Sequence, residues 1–89
     1  MINIPRPYTY MLICDQTGQQ YIGSRVANKL PALQDIKYMS SSRIIKEMIL
    51  DGFTFTKKIL AEWASKEEAI EHEIFLHACF DVGKNDIFL

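Results

Sequence analysis

Tyr8, Tyr10, Leu12 and Cys14 alternate with Thr9, Met11 and Ile13, and both sets are largely apolar. An alternation that is apolar on both faces predicts a strand covered on each side, central in its sheet. "DQTGQQ" follows with turn chemistry, Gly18 being free to take a positive φ. "QQYIGSR" reads as the returning strand, so residues 8–25 form a β-hairpin. The period of two then sets Tyr21, Gly23 and Arg25 on one face of that strand.

Residues 26–40 show no sustained period, and Pro31 interrupts any helix there; a loop with at most a short helical piece is expected. "SSSRIIKEMILDGF" predicts a helix capped by Ser41 or Ser42 and stopped at Gly52, with Ile44, Ile45, Met48 and Ile49 as its apolar stripe. "FTFTKKILAEW" is rich in β-branched and aromatic residues and reads as a third strand. Ser65 and Glu68 of "SKEE" form a capping box that opens a helix from about Lys66 to Phe80. The tail "DVGKNDIFL" carries turn signals. The expected fold is α+β: a small three-stranded antiparallel sheet flanked by helices, in the order ββαβα, as one domain over residues 1–89.

Composition narrows the classes. With 48% hydrophobic and 24% charged residues the chain is an ordinary globular sequence. No apolar run approaches the roughly 20 residues of a membrane helix, and the N-terminus lacks a signal-peptide pattern. Cys14 and Cys79 are too few for a disulfide framework, so an intracellular, cytoplasmic location is expected. The net charge of -1 argues against tight nucleic-acid binding. The charge is uneven: residues 1–50 hold six Lys+Arg against three acids, and residues 51–89 four lysines against eight acids. That asymmetry leaves room for a basic face in the first half.

One carboxylate breaks the pattern of the last helix. On a wheel with Ala69 at 0°, Leu76 falls at about 340°, Phe80 at about 20° and Glu73 at about 40°, among apolar neighbours. Ile70 and Ile74 continue the apolar arc to about 140°, while Glu67, Glu68 and Glu71 lie between about 160° and 260°. An ionised carboxylate facing a core needs a cation, a metal ion or a proton, unless it reaches water at the rim. His72, His77 and Cys79 have no zinc-ligand spacing. Phe53, Phe55, Trp63, Phe75 and Phe80 read as core aromatics.

From about Tyr8 to Leu89 the chain resembles the GIY-YIG nuclease domain, in particular the short phage-encoded members related to homing endonucleases. Tyr10 stands where the first motif ends in tyrosine, and Tyr21-Ile22-Gly23 is the second motif at the expected separation. "YMSSSRIIKEMI" resembles the segment leading into the middle helix, and "EEAIEHEIFLH" the helix whose Glu-x-x-Leu step carries the catalytic glutamate, here Glu73. The first motif departs from the family, reading Tyr8-Thr9-Tyr10 instead of Gly-Ile-Tyr. The family's arginine usually lies further along; the nearest candidate here is Arg25, with Lys29 the poorer alternative. Tyr38 or Ser40 takes the place of a histidine found in many members. The family's asparagine would fall near Leu89 or just beyond, with Asn85 a little early, so the chain is either a shortened domain or lacks that residue.

The resemblance implies a divalent-metal-dependent DNA endonuclease. Glu73 would hold a single Mg²⁺, with Mn²⁺ as a substitute; one carboxylate plus waters suits an ion that dehydrates reluctantly. Arg25 would stabilise the phosphate. Tyr10 and Tyr21 would activate the attacking water, and Tyr38 would join them as a catalytic residue. A phenol ionises near pH about 10, so that work at neutral pH calls for a nearby cation. Gly23 would allow close approach of the substrate, with Lys29 and Arg43 as further contacts to it. DNA would be held weakly by this domain alone, with specificity from a separate recognition region or a partner protein, inside a cell, on the family's pattern a phage-infected one. The rival readings are a catalytically weak module of the same fold that docks on DNA or protein, and a structural protein whose tyrosines only pack.

Overall fold

A computed structural model describes residues 4–80 and 87–89. Three strands, β1 (Tyr8–Cys14), β2 (Gln20–Arg25) and β3 (Phe55–Glu62), form an antiparallel sheet in the order β2-β1-β3. β1 is central, as its two apolar faces require, and Tyr8, Thr9, Tyr10, Leu12 and Cys14 are all buried. The hairpin between β1 and β2 turns at Gly18, whose φ of 77° is open to glycine at no steric cost. In the register, Tyr10 faces Gly23 on one side and Ile59 on the other, and Leu12 faces Tyr21 and Lys57. A bulge between Thr9 and Tyr10 shifts the β1–β3 pairing by one residue.

The loop after β2 holds one 3-10 turn, Ala32–Gln34, and then runs to helix α1 (Arg43–Leu50). Ser42 is the N-cap by position but its hydroxyl makes no cap bond; its own N–H donates to Ser40 Oγ at 2.9 Å. Gly52, at φ 99°, ends the helix in a Schellman arrangement: Phe53 N–H reaches Met48 O and Gly52 N–H reaches Ile49 O. The expected apolar stripe turns inward at one residue. Ile45 is fully buried and Met48 half-buried, whereas Ile44 and Ile49 face solvent.

Helix α2 (Lys66–Cys79) opens as its capping residues dictate, Ser65 Oγ accepting from Glu68 N–H. It packs on β1 and β2, across the sheet from the loop and α1. Its inward side is Ala69, His72, Glu73, Leu76 and His77. Ile70, Ile74, Phe75 and Phe80, expected in the core on the wheel or by type, are exposed, Ile74 at 63% and Phe75 at 60%. His72, Glu73 and His77 join Ala69 and Leu76 on the inward face, where β1 and β2 present Thr9, Ser24 and the Ile22 carbonyl, groups that need partners.

The main core lies on the opposite face, where Tyr8, Tyr10, Leu12, Ala32 and Ile45 pack with Tyr21, Tyr38, Met39, Phe55, Ile59 and Leu89. Residues 87–89 return beside the outer edge of β2, through Gln20 N–H to Ile87 O and Leu89 N–H to Gln20 O. Among the described residues, no helix is long and apolar enough to cross a membrane.

Candidate functional site

The alternation of β1 and β2 brings four of the expected site residues together. Tyr10 and Gly23 are cross-strand partners, so close that a Cβ on Gly23 would stand 2.6 Å from Tyr10 Oη and 3.0 Å from a ring carbon of Tyr21. Glycine is needed here for want of room; its backbone is ordinary. The Tyr10 ring packs against Tyr21 at 6.3 Å and edge-on to Tyr38 at 6.0 Å between centroids. Arg25, two residues beyond Gly23 on the same face, lays its guanidinium over the Tyr38 ring at 3.9 Å.

Tyr10 differs from Tyr21 in access to water. Tyr10 is 1% exposed and donates its hydroxyl proton to Ser40 Oγ at 3.3 Å, while Tyr21 is half-buried. Burial, more than the neighbouring phenols, pushes the Tyr10 pKa well above the usual tyrosine range. A cation was expected to lower it; desolvation wins because the ring lies inside the core. Tyr21 is therefore the phenol of the pair that can meet a water molecule.

Three further residues complete this face. Tyr8 Oη donates to Asp35 Oδ2 at 2.5 Å, and Arg25 Nε reaches the same oxygen at 3.3 Å. Lys57 Nζ donates to Tyr8 Oη at 2.7 Å, to Tyr38 O at 2.8 Å and to Asp35 O at 2.9 Å. Burial lowers the Lys57 pKa, with Asp35 opposing and Arg25 adding to the fall. Burial and the Asp35 carboxylate raise that of Tyr8. Lys57 had a signal in the sequence: it falls in the two-residue period of Phe55 and Ile59, a lysine on an apolar face. Asp35 had none, since it sits in an aperiodic loop. Beside the cluster, Ala32, Leu33, Ile36, Met39 and Ile59 line a cavity of about 320 Å³.

Glu73 lies elsewhere. It is on the inward side of α2, where the wheel set it, and it accepts from Ser24 Oγ at 2.6 Å. Its other oxygen is 3.7 Å from His77 Nε2, which also meets the Ile22 carbonyl at 3.0 Å. His72 Nδ1 pairs with the buried Thr9 hydroxyl at 2.8 Å, and Trp63 Nε1 donates to that same oxygen at 3.4 Å. Ser24 and Arg25 are successive residues of a strand and point to opposite faces. The sheet thus separates Glu73 from Tyr10, Tyr21 and Arg25. Lys29 and Arg43 are exposed and outside both groups; Arg43 pairs with Glu47 one helical turn away. Asn85 lies outside the described residues.

Glu73 offers a metal ion one carboxylate. Its side chain is 27% exposed, and a single carboxylate beside the Ser24 hydroxyl suits Mg²⁺ that retains most of its waters. Among the described residues, no group of three His, Cys, Asp or Glu side chains could hold a metal ion. A caged transition metal is not served by these residues.

The chain matches no family model, no curated protein and no solved structure.

Proposed function

We propose that this domain is a divalent-metal-dependent DNA endonuclease of the GIY-YIG type, acting on the sheet face that carries Tyr21, Gly23 and Arg25. The observation that carries the reading is the state of Arg25. Its Nε and its π-face are engaged by Asp35 and Tyr38, and its terminal amino groups have no hydrogen-bond partner among the described residues. Two parallel N–H donors held in a plane suit the oxygens of a phosphodiester.

In this reading Arg25 binds and orients the phosphate and offsets the charge that develops on it. Tyr21 holds the attacking water, with Tyr10 behind it as a rigid backing and Gly23 leaving the space between strand and substrate. Glu73, oriented by Ser24, would hold the Mg²⁺, which supplies Lewis-acid stabilisation when bound. Tyr38 acts on the reaction through Arg25. With a net charge of -1, affinity for DNA rests on few phosphate contacts and is weak.

The placement of Glu73 on the far face favours a second reading, a module of the same fold that docks on DNA without cutting it. Plasmid nicking in Mg²⁺ or Mn²⁺ separates the two, comparing the parent chain with Glu73→Ala at equal folding. Nicking that the variant loses supports the nuclease. No nicking by either, with DNA binding that Arg25→Ala abolishes, supports the docking module.

A further inference from the structure

Asp35, Tyr8 and Lys57 form a buried polar chain that the proposed chemistry does not touch directly. Its polarity is set by proton counting. Lys57 has three N–H donors and three oxygen acceptors, Tyr8 Oη, Asp35 O and Tyr38 O. Tyr8 Oη, accepting from Lys57, gives its own proton to Asp35 Oδ2. That oxygen also takes the Nε–H of Arg25. The same lysine ties the backbone at both Asp35 and Tyr38, the two residues that grip the guanidinium from an otherwise irregular loop.

We propose that Asp35, braced by Tyr8 and Lys57, is a positioning residue for Arg25: it holds the guanidinium by Nε against Tyr38, so that both terminal amino groups meet one phosphate of the substrate. The identity of that anion rests on the nuclease reading above. Charge supports it: two cations, Arg25 and Lys57, face one carboxylate, which leaves a positive charge for a ligand to match. A free arginine side chain would lose rotamer entropy on gripping a phosphate; one already fixed has lost it in folding.

Mere charge neutralisation makes the opposite prediction. Removing an acid from a DNA-binding face raises affinity by long-range electrostatics, whereas removing the brace of Arg25 lowers it. The test compares the parent with Asp35→Asn, Arg25→Lys and the double variant. It reads the Arg25 Nε–H signal by ¹H–¹⁵N NMR and the affinity for a short DNA duplex as a function of salt. Tyr8→Phe, which keeps the carboxylate and the net charge, serves if Asp35→Asn does not fold. The expected result is a slowly exchanging Nε–H signal in the parent that Asp35→Asn or Tyr8→Phe abolishes. Affinity then falls about tenfold in Asp35→Asn despite the lost negative charge, and the salt slope drops by about one phosphate contact. In the Arg25→Lys background Asp35→Asn lowers affinity no further.

An unchanged Nε–H signal, or tighter DNA binding by Asp35→Asn, overturns the proposal. A parent that neither cuts nor binds DNA fails the nuclease reading alone. Positioning then stands if the Nε–H signal is lost in Asp35→Asn and moves with inorganic phosphate in the parent; it falls if either is absent.

Discussion

Tyr10 Oη and Gly23 occupy adjoining strands with no room between them for a methyl group: a Cβ on Gly23 would lie 2.6 Å from that oxygen and 2.8 Å from Cζ. The ring cannot swing aside cheaply, because Tyr8, Tyr21 and Tyr38 surround it. Gly23→Ala should therefore destabilise the domain by about 1–3 kcal/mol, the usual cost of overpacking. A lower midpoint in urea at unchanged slope checks it. Tyr10→Phe in the same background should recover only part of the loss, since Cζ stays in place.

The two motif tyrosines should behave differently when each loses its hydroxyl. Tyr10→Phe removes one buried hydrogen bond to Ser40, worth about 0.5–1.5 kcal/mol, and leaves Ser40 Oγ bonded by the Ser42 N–H. On the nuclease reading, its nicking rate at full folding should fall less than tenfold. Tyr21→Phe should cost little stability and about a hundredfold or more in rate, the lower range for a group that handles a proton. Single-turnover nicking of the parent and both variants decides it.

Stability should collapse in alkali. Tyr8 and Tyr10 have folded-state pKa values above the usual range, so their contribution is complete below pH about 10 and is lost as pH rises beyond it, when the unfolded chain releases protons the folded one retains. Lys57 has the opposite sign, its depressed value adding stability as pH rises towards the ordinary lysine value, but it is one group against two. Urea midpoints between pH 8 and about 11.5 should fall at the upper end. Tyr8→Phe and Tyr10→Phe should each move that fall to higher pH.

Lys57→Met keeps the apolar stem and removes the amine. It leaves Tyr8 Oη and the carbonyls of Asp35 and Tyr38 without their donor, with Asp35 and Arg25 as the remaining charges. A loss of about 2–4 kcal/mol is expected, of the size seen when one member of a buried charged network is deleted. Amide hydrogen exchange over residues 32–40 should quicken, while the β1–β2 hairpin stays protected at its new global limit.

Much of the architecture was legible residue by residue. Both hairpin strands, the glycine stop at Gly52 and the cap at Ser65 follow from signals a few residues long, and these local signals match the structure. The stripes of the two helices did not translate: Ile44, Ile49, Ile70 and Ile74 have the apolar spacing yet face solvent. Periodicity says that a face exists; how much of it is covered depends on the width of the surface it meets. For α2 that surface is a strip of β1 and β2 lined with Thr9, Ser24 and a carbonyl, which selects His72, Glu73 and His77 over isoleucine.

Short-range patterning by itself determined that Tyr21, Gly23 and Arg25 share a strand face, because a two-residue period needs only neighbours in sequence; that Tyr10 joins them was decided by the hairpin register, which sets it opposite Gly23. Helical pitch set Glu73 beside Ala69 and Leu76, the side that turned inward, but the same arc held Ile70 and Ile74, which face solvent. Which face of the sheet receives that helix was decided only in three dimensions, and the answer separates Glu73 from the arginine. The brace on Arg25 was likewise out of reach, since Tyr8 lies 27 residues from Asp35 and 49 from Lys57. Such contacts exist because the β1–β3 register sets Lys57 opposite Leu12, within reach of the Tyr8 hydroxyl, and because burial there obliges every polar atom to find a partner.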